Sequence, residues 1–77
     1  MRVIIATDEF GRTVYINADK ICCFHEEAGE LFTKIYFDSG KCKIKGNKVK
    51  QILDYVTTPC NCEPILNLID DVEVKDV

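Results

Sequence analysis

The stretch LFTKIYFDSGKCKIKGNKVK, residues 31–50, decides the architecture, because two alternating patterns and the start of a helical one follow each other in it without a gap. From Leu31 onward, Thr33, Ile35 and Phe37 can face a core while Phe32, Lys34, Tyr36 and Asp38 face away, the period of a half-buried strand. Ser39-Gly40 reads as a two-residue hairpin loop that sets Asp38 opposite Lys41, Phe37 opposite Cys42 and Ile35 opposite Ile44. A slip of one residue would drive Lys43 and Lys45 into the core. On the outer face this register also places Tyr36 opposite Lys43 and Lys34 opposite Lys45. The last is a like-charge pair that costs up to about 1 kcal/mol and hints at a partner.

Beyond the hairpin, Gly46-Asn47 breaks the strand, and Asn47 is suited to cap a helix with its side-chain oxygen. Val49, Ile52, Leu53 and Val56 follow as one apolar helical stripe. Thr57-Thr58 and Pro59 end the helix, since proline disfavours helical geometry in the residue before it. The stripe is expected to cover Leu31, Ile35, Phe37, Cys42 and Ile44.

Upstream, Val3–Ala6 reads as a strand, Asp8–Gly11 as a turn, and Thr13–Ile16 as a second strand. Asn17-Ala18-Asp19 interrupts, and Ile21–Glu27 forms a third strand before an Ala28-Gly29 turn. The expected fold is therefore mainly β (α+β): five short antiparallel strands in a curled sheet or half-open barrel, closed by one helix. Residues 1–58 make this domain. Residues 59–77 form a C-terminal docking segment whose apolar part, 64–72, reads equally as a helix opened by Pro64 or as a strand, with a frayed acidic end.

At 77 residues the chain is one domain, near the size at which an oligomer or partner often supplies further burial. Hydrophobic residues at 47% and charged residues at 30% indicate a globular chain. No apolar run is long enough to span a bilayer, and MRVIIATDEF lacks the apolar core of a signal peptide, so the expected location is cytoplasmic, away from membranes. The net charge of −3 hides a segregation: −3 over residues 1–33, +5 over 34–50 and −5 over 51–77. Such a basic block can contact phosphates, an acidic partner or the chain's own acidic tail, or serve only as a solvated strand face.

The order Gly11, Asn17-Ala18-Asp19 with Ile21, then Ile35 and Gly40 in an apolar strand–turn, then a helix from about Lys48, resembles the small flagellar-operon proteins of the FlbD type. It is also similar to a reduced LytTR domain, a β-rich DNA-binding fold in which an Asn-x-Ile element precedes a strand. The likeness covers about residues 2–56 and lies in turn and core positions. It implies a bacterial or phage regulatory or adaptor protein rather than an enzyme. No functional residue transfers from either family, and the segment from Cys60 to Val77 has no counterpart in the FlbD-type pattern.

The five cysteines are an odd number with no secretion signal, which argues against a disulfide framework. Cys60-Asn61-Cys62 has Cys-x-Cys rather than Cys-x-x-Cys spacing. Cys22 or Cys23 with His25, Cys60 and Cys62 could nominally supply four zinc ligands, but ordinary buried thiols account for Cys23 and Cys42, and no metal or other cofactor is expected. Cys23 and His25 share a strand face without a third group to orient the imidazole, and no phosphate loop or nucleophile elbow accompanies them, so no catalytic residue is expected.

Two functions remain. The first is a protein-interaction or regulatory adaptor module that self-associates or docks a protein partner through Ile65, Leu66, Leu68, Ile69 and Val72. The second is a nucleic-acid-binding module using Lys34, Tyr36, Lys43, Lys45, Lys48 and Lys50, with Phe32 beside them. An isoelectric point near 5.0 and only two arginines favour the first on sequence grounds.

Overall fold

The computed structural model describes residues 2–27, 29, 31–58 and 64–69. Among these residues six strands and one helix follow in the order β1 (Val3–Thr7), β2 (Thr13–Asn17), β3 (Ile21–Glu27), β4 (Phe32–Phe37), β5 (Gly40–Lys45), α1 (Val49–Thr57) and β6 (Ile65–Asn67), with a 3-10 turn at Ala18–Lys20. They make two three-stranded sheets, β2–β1–β6 and β3–β4–β5, rather than the single five-stranded sheet expected. Among the described residues an isolated antiparallel bridge between Asp8 and Ile44 links the edges of the two sheets, which do not close into a barrel.

The sixth strand is the difference. Pro64 carries no N–H, yet its carbonyl accepts from Val3 N at 2.8 Å, and Leu68 N donates to Ile5 O at 2.7 Å. Ile65–Asn67 thereby lies parallel to β1, setting Val3 opposite Ile65 and Ile5 opposite Asn67. A parallel neighbour some sixty residues away in the chain leaves no local sequence signal, whereas tight antiparallel hairpins do.

The inward faces of both sheets meet in one core. Ile4 and Ala6 from β1, Ile16 from β2, Ala18, Ile35 from β4, Ile44 from β5, Ile52 and Tyr55 from α1, and Leu68 are all buried. Val14, Ile21, Phe24, Phe37, Cys42, Val56 and Leu66 pack around them. The helix turns Ile52, Tyr55 and Val56 inward, and Leu53, expected in the stripe, is 49% exposed. Leu31, also expected inside, is 65% exposed and precedes β4.

The β4–β5 hairpin has a different register from the one read in the sequence. Phe37 faces Gly40 across a loop of Asp38-Ser39, so Ile35 pairs with Cys42, Thr33 with Ile44 and Lys34 with Lys43. Each β4 residue meets a partner two positions earlier than expected. A displacement of two leaves every side chain on its own face.

Helix α1 starts at Val49 with Lys48 as its cap residue, one position later than expected. Asn47 Oδ1 still accepts from Val49 N, at 3.3 Å. The tighter anchor is Thr33, fully buried, whose hydroxyl donates to Gly46 O at 2.7 Å and accepts from Lys48 N at 2.8 Å. At the other end of the helix, Arg2 Nη1 donates to Tyr55 O at 3.0 Å, and its guanidinium lies 5.3 Å from the Tyr55 ring centroid. Cations are favoured at such carbonyl ends. No helix among the described residues is long and apolar enough to cross a membrane.

Candidate ligand-binding face on the second sheet

Strand alternation sorts the second sheet into a core face and an outer face. Pairing of β3 with β4 sets Cys23 beside Tyr36, His25 beside Lys34 and Glu27 beside Phe32, and pairing of β4 with β5 adds Lys41, Lys43 and Lys45 in the same rows. The outer face therefore presents two aromatic rings on the central strand, a histidine on one flank and three lysines on the other. A bulge between Ile21 and Cys23 resets the alternation of β3 and brings Cys23 and His25 onto this face.

The side chains hold each other in place. The His25 ring stacks on Tyr36 at 5.7 Å between centroids, and His25 Nε2 lies 3.3 Å from the Tyr36 hydroxyl. His25 Nδ1 sits 2.8 Å from the carbonyl of Glu26, and since a carbonyl only accepts, Nδ1 carries the proton. Lys34 Nζ is 5.8 Å from the Tyr36 ring centroid, and Lys43 Nζ is 5.6 Å from that of Phe32. The like-charge pair is Lys34 with Lys43 rather than with Lys45. Glu27 relieves it, with one carboxylate oxygen 4.0 Å from Lys34 Nζ and the other 3.7 Å from Lys43 Nζ. These separations are long for ion pairs at a half-exposed surface, so each contributes well under about 1 kcal/mol.

Of the residues singled out in the sequence for nucleic-acid contact, Lys34, Tyr36, Lys43 and Lys45 share this face, whereas Lys48 and Lys50 lie at the start of the helix. The apolar tail residues divide. Ile65 points outward from the first sheet, Leu66 packs against the core, Leu68 is buried in it, Ile69 is half-buried, and Val72 lies outside the described residues, as do Cys60 and Cys62. In the sequence His25 stands only as a nominal zinc ligand and as the neighbour of Cys23, and neither it nor Glu27 is assigned to this face. Cys23-x-His25-x-Glu27 on one strand face, opposite Tyr36, Lys34 and Phe32, was the signal that could have found them.

Cys22, Cys23 and Cys42 are free thiols; Cys42 is half-buried, but Cys23, expected to be buried, is exposed on the outer face because of the β3 bulge. Cys22 Sγ donates to Asp38 Oδ1 at 3.1 Å, and this hydrogen bond, then desolvation and the nearby negative charge, pushes its thiol above the ordinary range. Among the described residues no cluster of three or more His, Cys, Asp or Glu side chains is placed to hold a metal ion.

Next to this face, the β1–β2 turn is clamped by Asp8. Its Oδ1 accepts from Phe10 N at 3.0 Å and Arg12 N at 2.8 Å, and its Oδ2 accepts from Arg12 Nε at 2.9 Å. Gly11 completes the turn at φ +85, where a side chain would be strained. Desolvation pushes the Asp8 carboxyl upward, but the backbone and side-chain hydrogen bonds from Arg12, the one from Phe10 and the Arg12 charge together hold it below its ordinary value of 3.8. A carboxylate with a depressed folded-state pKa adds stability above its unfolded pKa and loses it as pH falls through the folded one. Wild type is thus expected to lose stability on acidification from about pH 4 downward. An Asp8→Asn variant, less stable at neutral pH, is expected to have a flatter profile in that window, as read by urea midpoints at stepped pH.

Compared with protein-family models, curated proteins and solved structures, the chain matches none of them. What the outer face can bind follows from its own side chains.

Proposed function

We propose that this protein is a non-enzymatic regulatory binding module, and that the outer face of β3–β4–β5 takes single-stranded nucleic acid. The observation that carries the reading is the placement of Phe32 and Tyr36 on the central strand, each with a lysine ammonium near its ring, beside Lys41 and Lys45 on the flanking strand. Unstacked bases can lie on such rings, and the lysines can follow the sugar–phosphate chain. A duplex offers no free base faces, so single strands are the better fit. The acidity of the whole chain counts for less than the local charge of the face, where Lys34, Lys41, Lys43 and Lys45 outweigh Glu27, since charges beyond about 8–10 Å are screened at physiological salt. Glu27 competes with phosphate for Lys34 and Lys43.

The test is fluorescence anisotropy with labelled single-stranded and duplex oligonucleotides of mixed sequence. Three or four phosphate contacts imply a log–log salt slope of about −2 to −3 for a single strand. Tyr36→Ala should weaken binding about 5- to 100-fold, as expected for one base stack. Changing Lys43 and Lys45 to Glu should abolish it, and Glu27→Gln should tighten it. Salt-independent binding, or binding indifferent to all four changes, would overturn the proposal.

A second reading, self-association, is favoured by a different surface. The outer face of β2–β1–β6 consists of Val3, Ile5, Thr7, Thr13, Tyr15, Asn17, Ile65 and Asn67, with no Asp, Glu, Lys or Arg among them. Tyr15 is 71% and Ile65 51% exposed. Two copies of an acidic chain can meet on an uncharged face without like-charge repulsion, in an isologous pair. Three short strands present far less than the roughly 800 Å² per partner of a stable interface, so the dimer on this reading is weak. Light scattering across a concentration series should show growth in mean mass that Ile65→Asp removes. A wild type that stays monomeric at millimolar concentration would exclude it.

A further inference from the structure

Where the two sheets part beyond the Asp8–Ile44 bridge, a cleft of about 240 Å³ opens between the β1–β2 turn and β5. It is lined by Phe10, Arg12 and Val14 on one side, Lys41, Cys42 and Lys43 on the other, and Asp8 and Glu9 at the turn. Resting on the nucleic-acid reading above, we infer that this cleft takes one nucleobase of the same single strand, flat against Phe10, as the strand runs off the edge of β5.

Three features point to a base rather than a phosphate. Phe10 is 72% exposed although its backbone is fixed by Asp8, so an aromatic ring is held out at the cleft with no cover of its own beyond the Arg12 guanidinium, 5.0 Å from its centroid. An Arg–aromatic pair accepts the planar face of a base. Residues 41–43 lie on the edge of β5 away from β4, where no described strand pairs with them, so their outward main-chain groups can meet the polar edge of a base. Glu9 and the turn-locked Asp8 carboxylate disfavour a phosphate at the turn end, whereas Lys41 at the opposite wall can hold the phosphate that follows the base. The volume lies below the roughly 300–1,000 Å³ of clefts for drug-sized ligands, which suits one ring system and not a whole nucleotide. The Cys42 thiol, pushed up by burial and by the charges of Asp8 and Glu9, stays neutral in the cleft. Lys41 and Lys43 belong to both the cleft and the outer face, so the two surfaces are continuous.

The experiment pairs anisotropy with photo-crosslinking, using oligonucleotides that carry a single 5-iodouracil at successive positions, on the full chain and on its Phe10→Ala, Lys41→Ala and Tyr36→Ala variants. Phe10 and Lys41 are exposed, so neither change endangers the fold. The expected result is a crosslink to Phe10 from one position near an end of the oligonucleotide, and a loss of affinity of about 5- to 100-fold in Phe10→Ala, the size of one base stack. Lys41→Ala should weaken binding and reduce the dependence on salt. Binding that needs Tyr36 but is unchanged by Phe10→Ala, with crosslinks confined to β4, would overturn the cleft and leave the sheet reading standing. A wild type that binds no single strand would overturn both.

Discussion

Replacing Ile35 by Ala is expected to lower the unfolding free energy by about 2–5 kcal/mol, the range for a large-to-small change in a packed core. Ile35 sits on the central strand of the second sheet with no exposed surface, between Phe24 on β3 and Cys42 on β5, in the same cluster as Ile4, Ile44 and Ile52. Strands on both sides and a helix above leave the site little freedom to collapse into the space. For a chain of this length the total stability is of order 4–12 kcal/mol, so the loss is a large share of it. Leu31→Ala is the control. Leu31 lies largely in solvent, and its truncation should change stability by no more than about 0.5 kcal/mol. Urea denaturation of both variants reads the contrast, and an unshifted midpoint for Ile35→Ala would place the core elsewhere.

Thr33→Val should cost nearly as much, although it conserves shape. The Thr33 hydroxyl joins β4 to the β5–α1 connection by donating to Gly46 O and accepting from Lys48 N, and the side chain is fully buried. Valine would leave a carbonyl and an N–H without these partners just where the helix begins. A fully buried group left unsatisfied costs about 1–3 kcal/mol; Gly46 and Lys48 are half-buried, so water offsets part of this and about 2–4 kcal/mol is expected for the pair. Thr33→Ser keeps both hydrogen bonds and loses only a methyl group, and it should recover most of the difference. Amide exchange adds a local readout: the Lys48 N–H should lose protection in Thr33→Val and keep it in Thr33→Ser. Equal stability of the valine variant and wild type would show that the hydroxyl is not the anchor.

Much of the mainly β architecture was legible because five of the six strands signal themselves locally, by alternation between turn residues. Ile21–Glu27 has the bounds that the sequence suggests. The hairpin register was not legible, for a physical reason: Asp38-Ser39 and Ser39-Gly40 are both acceptable two-residue loops, and a displacement of two keeps Ile35, Phe37, Cys42 and Ile44 on one face. Strand β6 escaped because Ile65-Leu66-Asn67-Leu68-Ile69 suits a helix or a strand equally, and its partner is distant in sequence. Tyr55 escaped because its polar tip removed it from the apolar stripe, although it lies one turn from Ile52 and is buried while Leu53 is not.

For the candidate face, Lys34, Tyr36, Lys43 and Lys45 could be grouped from alternation alone, since parity survives the register change. Alternation puts Cys23, His25 and Glu27 on one strand face, but which face that is depends on the β3 bulge between Ile21 and Cys23, which the sequence does not announce. Phe10 and Arg12 were hidden for another reason. Their part in the cleft depends on how the two sheets part beyond a single bridge, which is a property of the tertiary arrangement.

The most direct measurement of ligand binding by the outer face is a titration of isotope-labelled protein with a short single-stranded oligonucleotide at low salt, followed by amide and side-chain NMR shifts. The expected result is saturable, salt-sensitive movement of Phe32–Lys45, the facing residues Cys23, His25 and Glu27 and the cleft residues Phe10 and Arg12, with the Phe32 and Tyr36 ring protons shifted upfield by stacked bases and the β2–β1–β6 face unmoved. Absence of any shift at millimolar oligonucleotide, or shifts gathered on Val3, Ile5, Tyr15 and Ile65 instead, would contradict it.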